Sequence, residues 1–190
     1  SDEMGMNISG NRKVVLIVAS LSSFLTPFMG SSVSVALPAI GEAFSLDALT
    51  LGWVSTSYLI ASSVFLLPLG RAADIYGRKR IFIWGLTVFT LSSVLVALSP
   101  FISMLITFRI LQGVGSSMVF GTGTAILIEA YPLEERGRVL GINLAATYLG
   151  LSLGPFLGGV LTGSFGWESV FLVNVPLSVT ALILALKGIE

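Results

Sequence analysis

Six apolar runs dominate this sequence, and each is long enough to cross a lipid bilayer. A membrane-spanning helix needs about 20 predominantly apolar residues. Over the whole chain 54% of residues are hydrophobic and only 11% are charged, which is too little polar surface to cover a soluble domain. We therefore expect an all-α membrane protein in which six helices span the bilayer at residues 14–40, 49–69, 81–98, 101–128, 139–161 and 170–186.

The charged residues between the runs predict how the helices are oriented. Nine of the ten basic residues lie before the first run, between the second and third, between the fourth and fifth, or after the sixth. The opposite loops carry only Glu42, Asp47 and Glu168. Because cytoplasmic loops carry an excess of Lys and Arg, we expect a multi-pass protein of the cell membrane with both termini in the cytoplasm. Residues 1–11 are predicted to be a disordered cytoplasmic tail, and residues 12–190 to be the transmembrane domain.

The residue types that are missing narrow the chemistry. The chain has no His and no Cys, which excludes disulfides, thiolate nucleophiles, His or Cys metal sites and a Ser-His-Asp triad. Its formal net charge is zero, which gives no electrostatic reason to bind nucleic acid. No Gly-Lys-Ser/Thr phosphate-binding loop occurs. We therefore expect neither an enzyme nor a protein with a cofactor or metal. Because no ATP-binding loop occurs, any transport would be driven by an ion or substrate gradient.

The segment between the second and third runs is the most charged part of the chain. It reads Gly-Arg-Ala-Ala-Asp-Ile-Tyr-Gly-Arg-Lys-Arg from residue 70 and resembles the signature loop between the second and third helices of major facilitator superfamily transporters. The resemblance implies a latch that holds two halves of a transporter together in one state. A solvated surface ion cluster without a switching role is the alternative. The residues assigned to this latch are Gly70, Asp74, Gly77, Arg78, Glu129 and Arg138.

Arg109 is the one basic residue inside an apolar run, about 12 Å from the start of the fourth predicted helix. A charge at that depth is costly unless water or a partner is present. The segment from Arg109 through Gln112, Gly113 and Gly115 resembles the fourth-helix motif of the same superfamily. Two roles stay open for Arg109: contact with a substrate or coupling ion, or hydrogen bonding to backbone carbonyls of a neighbouring helix.

Glycines recur at every fourth position of the fifth run, and a proline follows one of them. This spacing places Gly150, Gly154 and Gly158 on one helical face, while Pro155 removes a backbone donor and is expected to bend the helix. With Gly159, these residues resemble the antiporter motif of drug exporters in the superfamily, which favours efflux over uptake. We expect a hinge at Gly150, Gly154, Pro155, Gly158 and Gly159 that moves against a second bundle, and a static close-packed helix pair is the alternative.

Polar and aromatic residues in the runs are candidates for contact with a substrate or for coupling: Thr26, Ser31, Ser34, Tyr58, Arg109, Gln112, Asn143, Tyr148 and Asn174. Together they predict a weakly polar pocket for amphipathic or neutral compounds. The end of the first run, at residues 34–38, and the entry to the sixth, at residues 166–176, resemble the fourteen-helix group of drug:proton antiporters. That group usually carries an Asp near the position of Met29 and an Asn in place of Ser34. No Asp or Glu lies in the middle of a run here, so proton coupling is implied by the resemblance alone.

The resemblance covers nearly the whole chain and implies one half of a transporter, since superfamily members contain two six-helix halves. We expect a half-size secondary transporter that exports small amphipathic or drug-like compounds by alternating access within the lipid bilayer. Its expected partners are a small-molecule substrate and a second six-helix half, with a copy of the same chain in a homodimer as the leading candidate. The alternatives are a non-transporting membrane scaffold, or an excised half that needs a different partner half.

Overall fold

The structure is a computed structural model, and it describes residues 2–189, with side chains from residue 11 onward. Over these residues the chain forms eight helices: α1 (Asp2–Phe44), α2 (Ala48–Val64), α3 (Leu66–Tyr76), α4 (Arg78–Ala97), α5 (Ile102–Ala130), α6 (Leu133–Phe165), α7 (Glu168–Leu172) and α8 (Asn174–Gly188). Five spans are long and apolar enough to cross a membrane, and the bent pair α2 and α3 makes a sixth. The all-α membrane fold is confirmed, and the side on which the termini lie stays a prediction.

The second span is divided, although we predicted one helix over 49–69. Helices α2 and α3 meet at Phe65 with a bend of 44°. Pro68 explains the bend because it has no N–H for the carbonyl of Val64, four residues earlier, and its ring crowds that carbonyl. Val64 is the last residue of α2. The proline therefore ends one helix at the carbonyl that it leaves without a partner.

The sixth span shows the same relation in a milder form. Pro176 lies four residues after Leu172, where α7 ends. At Val173 the backbone keeps helical angles, with φ −63° and ψ −26°. Helices α7 and α8 therefore act as one span over Glu168–Gly188.

Helix α1 begins at Asp2, within the region where we predicted a disordered tail over 1–11. The side chains of residues 1–10 and all of residue 190 lie outside the described part. The division of the chain into a tail and a bundle therefore stays a prediction.

Glycines set the closest helix contacts in the bundle. A Cβ atom added at Gly150 of α6 would lie 2.4 Å from the carbonyl oxygen of Phe24 in α1. At Gly113 of α5 it would lie 2.6 Å from the carbonyl oxygen of Tyr58 in α2. Backbones this close are typical of membrane helix pairs, which are held by packing of small residues. Helix α5 therefore lies against α2, and α6 lies against α1.

The two ends of the bundle differ in character. At one end, which we call the basic end, Arg78 pairs with Glu129, and the hydroxyl of Tyr131 donates to the carbonyl of Arg12 over 2.8 Å. At the other end the Trp167 ring packs on Phe44, with centroids 5.7 Å apart. The clustering of the basic loops at one end is the arrangement that the charge pattern predicted.

Candidate functional site

A cleft of about 520 Å³ opens between α1, α2, α5 and α6. This volume suits a drug-sized compound. The fourteen described residues that line it are all uncharged, and half of them are Ser or Thr: Thr26, Pro27, Gly30, Ser31, Tyr58, Leu59, Ser62, Ser63, Leu66, Ser116, Ser117, Phe120, Thr147 and Leu151. The cleft can therefore bind an apolar body and offer hydroxyl groups to its polar substituents.

Tyr58 forms the part of the wall where three helices meet. Its hydroxyl donates to the carbonyl of Thr26 in α1 over 3.0 Å and lies 2.9 Å from the hydroxyl of Ser116 in α5. The side-chain oxygen of Thr26 is buried and has no hydrogen-bond partner among the described residues. An unpartnered buried hydroxyl is costly, and Thr26 is one of the residues that line the cleft.

Arg109 lies directly behind the Tyr58 ring and is fully buried. Its Nε donates to the carbonyl of Val54 over 2.8 Å, and its Nη1 donates to Oε1 of Gln112 over 2.6 Å. The guanidinium carbon lies 4.3 Å from the ring centroid of Tyr58 and 5.6 Å from that of Phe171. Two aromatic faces and two hydrogen bonds thus hold the cation without a carboxylate, an arrangement suited to a guanidinium.

Gln112 links this cation to α4. Its Nε2 donates to the hydroxyl of Ser93 over 2.8 Å, and Ser93 donates in turn to the carbonyl of Phe89 over 2.7 Å. Of the two roles open for Arg109, bonding to a backbone carbonyl of a neighbouring helix is the one made in this conformation. Arg109 and Gln112 do not line the cleft. Their part in substrate binding or coupling stays a prediction.

The other predicted substrate residues lie apart from each other. Thr26, Ser31 and Tyr58 line the cleft, whereas Ser34 is exposed and lies outside the cleft lining. Tyr148 is exposed and Asn174 is buried, and both also lie outside the lining. Asn143 is buried between α6 and α1, where its Oδ1 accepts a hydrogen bond from the hydroxyl of Ser23 over 2.9 Å. The structure therefore brings Tyr58, Arg109 and Gln112 together and leaves Ser34 and Asn143 elsewhere.

We did not predict five of the hydroxyl groups that line the cleft, which belong to Ser62, Ser63, Ser116, Ser117 and Thr147. The signal for four of them is a pair of adjacent serines in an apolar helix. It is weak because a helical serine often bonds its own preceding turn. Ser62 does so, donating to the carbonyl of Leu59 over 3.0 Å. Their convergence depends on how α2, α5 and α6 pack.

The glycine face of α6 packs against α1. A Cβ added at Gly154 would lie 1.8 Å from Oγ of Ser31, and one at Gly158 would lie 2.7 Å from the carbonyl oxygen of Ser32. We expected this seam to move against a second bundle, but the structure places it against a helix of the same bundle. Any hinge motion would therefore occur between α1 and α6, and the hinge role stays a prediction.

The remaining hinge residues lie at the edge of this seam. Gly159 has ordinary van der Waals space, since an added Cβ would be 3.5 Å from Val35. Pro155 is exposed, and α6 continues through it as one helix of 33 residues. Unlike Pro68, this proline does not end the helix that contains it.

The predicted latch residues meet at the basic end, with one exception. Arg78 pairs with Glu129 and also lies 3.5 Å from Asp74, and their side chains are 36%, 62% and 52% exposed, respectively. Arg138 is exposed and makes no salt bridge with any described residue. The exposed Asp74 carboxylate has one weak partner here, so that it can accept another contact.

Two latch glycines have different local roles. Gly77 joins α3 to α4 with φ +100°, a backbone conformation that favours glycine. An added Cβ at Gly70 would meet nothing within 4 Å, so this position faces open space.

Among the described residues no group of acidic side chains is arranged to hold a metal ion.

Comparison with known proteins gives matches over most of the chain. The family model described as Major Facilitator Superfamily matches residues 19–189. The riboflavin transporter RibZ of Clostridioides difficile (strain 630) is 34% identical over 174 residues, which cover 92% of this chain and 38% of that protein. The multidrug resistance protein Stp of Mycobacterium tuberculosis (strain CDC 1551 / Oshkosh) is 37% identical over 178 residues, covering 93% of this chain and 33% of that protein. The chain thus spans between a third and two-fifths of the length of these relatives.

A solved structure shares the fold. The proton:xylose symporter XylE matches with a TM-score of 0.81 at 18% identity, covering 94% of this chain and 45% of the symporter. At this identity the likeness concerns the arrangement of helices and not the substrate.

Proposed function

The chain belongs to the Major Facilitator Superfamily, and we propose that it forms one six-helix half of a secondary transporter that exports small amphipathic or drug-like compounds by alternating access. The observation that carries the proposal is the uncharged cleft between α1, α2, α5 and α6, whose wall alternates apolar side chains with hydroxyl groups. Such a lining binds apolar compounds that carry a few polar substituents.

A second six-helix half completes the cleft in this proposal. The cleft lies between helices of one bundle and is open on one side, whereas transporters of this superfamily bind substrate between two halves. Gly70 and Asp74 face open space or solvent at the basic end and are available to that second half. A copy of this chain can supply it in a parallel homodimer, and a different six-helix half is the alternative.

Export is supported by two features. The glycine face of α6, with Pro155, resembles the motif of drug exporters, and its contact with α1 lets two smooth helix surfaces shift with little interlocking of side chains. One relative is named a multidrug resistance protein. Proton coupling is not part of the proposal, because every Asp and Glu within a described helix lies in the first or last turn of that helix.

The test is flux through proteoliposomes that contain the purified chain. The vesicles receive an imposed pH gradient, a membrane potential or neither, and the probes are ethidium and riboflavin, both fluorescent. We expect gradient-dependent movement of at least one probe that exceeds the movement in protein-free vesicles. A Ser63→Trp variant, which fills the cleft, is the matched control and should show no excess.

A non-transporting membrane scaffold is the second candidate. It is favoured by the lack of any acidic residue along the cleft. Absence of flux under every gradient, with protein that is folded in the vesicles, would favour the scaffold over the transporter.

The homodimer has its own test, since the chain contains no natural cysteine. A Gly70→Cys variant places a thiol on the open face, and an oxidant or a bifunctional maleimide should link two copies in vesicles. A variant with a cysteine at Gly163, which also faces open space but lies in the last turn of α6, is the control. Linking at neither position or equally at both would contradict the homodimer.

A further inference from the structure

We propose that the cleft selects acceptor-rich neutral or anionic aromatic compounds over lipophilic cations, because Arg109 places an uncompensated positive charge behind the Tyr58 ring, and that Thr26, Tyr58 and Ser116 form the subsite for the acceptor. The inference rests on the proposed function and names the class of its substrate.

The charge behind the cleft wall is not neutralised locally. Arg109 is fully buried, and among the described side chains no carboxylate lies within salt-bridge distance of it. Its Nη2 has no hydrogen-bond partner among them either. A guanidinium stays protonated in proteins, so that a full positive charge lies close to the cleft. Buried charges of this kind are screened much less than charges in water.

The remaining charges near the cleft nearly cancel. All fourteen residues of the lining are uncharged. Towards the basic end the cleft is bordered at Leu66 and Phe120 by a second cavity, whose wall includes Arg71, Asp74 and Arg78. Glu129 pairs with Arg78, so these four groups carry two positive and two negative charges, and Lys79, which lines the next cavity with Glu129, adds one positive charge. The sign of the potential in the cleft therefore follows Arg109.

The Tyr58 ring lies between the charge of Arg109 and the cleft. The guanidinium carbon lies 4.3 Å from the ring centroid, so one face of the ring is occupied by a cation whose charge repels a second cation on the cleft side. The same cation draws electron density from the ring, which strengthens the hydrogen bond that the phenolic hydroxyl donates to the carbonyl of Thr26. This hydroxyl lies at the cleft wall between Thr26 and Ser116. An aromatic cation is thus disfavoured at this wall.

Thr26 gives an observation that points to a ligand and does not depend on the charge of Arg109. Thr26 is one of the residues that line the cleft, and its side-chain oxygen is buried and has no partner among the described residues. The backbone carbonyl of the same residue is already engaged by Tyr58. A carbonyl, carboxylate or sulfonate oxygen of a ligand can accept from the free hydroxyl, and an ammonium group gains no comparable charge-assisted bond in this positive field.

The experiment compares two dyes of the same shape and opposite charge. The methyl esters of rhodamine and fluorescein share a three-ring core, and at mildly alkaline pH the first is a cation and the second an anion. Binding is measured by equilibrium dialysis against the chain in nanodiscs of zwitterionic lipid, with empty nanodiscs subtracted. We expect the dissociation constant of the anion to be lower than that of the cation by on the order of tenfold, from the interaction of one charge across several ångströms.

Substitutions in the cleft wall that leave Arg109 unchanged test whether charge sets the preference between the two dyes. Ser62→Asp adds a carboxylate to the cleft wall and should move the preference towards the cation by about tenfold, whereas Ser62→Asn should leave the order unchanged. Thr26→Val keeps the shape of the side chain and should weaken anion binding several-fold. Equal or tighter binding of the cation by the unsubstituted chain would overturn the inference. So would an unchanged ratio in Ser62→Asp.

Binding and flux separate this inference from the proposed function. Binding in nanodiscs needs no gradient. Anion preference without flux in any vesicle would contradict transport and support the selectivity of the cleft. Flux of ethidium, together with tighter binding of the cationic dye, would support transport and contradict the selectivity.

Discussion

Tyr58 separates Arg109 from the cleft, with its ring centroid 4.3 Å from the guanidinium carbon and its hydroxyl at the cleft wall. The buried charge therefore acts on a ligand through the ring and not by direct contact. An ion that would be costly alone in a bilayer is held by a backbone carbonyl of α2, an amide of its own helix and an aromatic ring of α7.

Gln112→Leu should lower the stability of the bundle. The change leaves Nη1 of Arg109 without its acceptor and Ser93 without its donor, and an unsatisfied buried polar group costs about 1–3 kcal/mol. Gln112→Glu is the matched control, because a carboxylate still accepts from Arg109. Melting temperatures in detergent should fall more for Leu than for Glu. A Gln112→Leu variant as stable as the unsubstituted chain would contradict the hydrogen bonds described around Arg109.

Gly150→Ala should push α1 and α6 apart. The added Cβ would lie 2.4 Å from the carbonyl oxygen of Phe24, a backbone atom that cannot rotate away, and overpacking costs about 1–3 kcal/mol. Gly141→Ala is the control on the same helix, since its Cβ meets nothing within 4 Å and alanine favours the helix. Thermal unfolding should distinguish the two variants, and equal melting temperatures would refute the close contact at this seam.

Gly77→Ala should destabilise the junction of α3 and α4. A residue with a side chain is strained at φ +100°, at a cost of about 1–3 kcal/mol. Gly137→Ala, which has open space and ordinary helical φ, should be neutral or slightly stabilising. The readout is the melting temperature in detergent. Equal melting temperatures for Gly77→Ala and Gly137→Ala would contradict the positive φ at the junction of α3 and α4.

Asp74→Asn tests the latch at the basic end. Arg78 keeps Glu129 in this variant, and exposed ion pairs are worth about 0–1 kcal/mol, so the stability of the bundle should change little. If Asp74 contacts a second half in one state only, the flux of the probe in proteoliposomes should fall. Glu129→Gln, which removes the partner of Arg78 within the bundle, is the comparison. Full flux with normal expression of Asp74→Asn would dismiss the latch.

The spans could be predicted from the sequence because a bilayer demands long apolar runs, and the fold family followed from the loop and glycine motifs. The break at Phe65 could also have been predicted, since Pro68 denies a hydrogen bond to Val64. Pro155 shows the limit of that rule, because α6 continues through it. A proline indicates a lost hydrogen bond and does not by itself decide whether the helix ends.

The site was less accessible from sequence because it depends on which helix faces meet. Arg109 was recognised as exceptional, but its enclosure needs Val54 and Tyr58 from α2 and Phe171 from α7. The helix that packs against the glycine face of α6 was equally hard to predict from the sequence. Spacing shows that Gly150 and Gly154 share a face, and only the packing shows that the face meets α1.

Cysteine labelling tests the central claim, which is an open cleft with Arg109 sealed behind its wall. The chain has no natural cysteine, so single variants report one position each. Ser63 is exposed in the cleft, whereas Ser93 is fully buried beside Gln112. With a water-soluble maleimide applied to proteoliposomes, we predict rapid labelling of Ser63→Cys, protection by a bound probe, and negligible labelling of Ser93→Cys. Labelling of Ser93→Cys as fast as Ser63→Cys, or none at Ser63→Cys, would contradict the account.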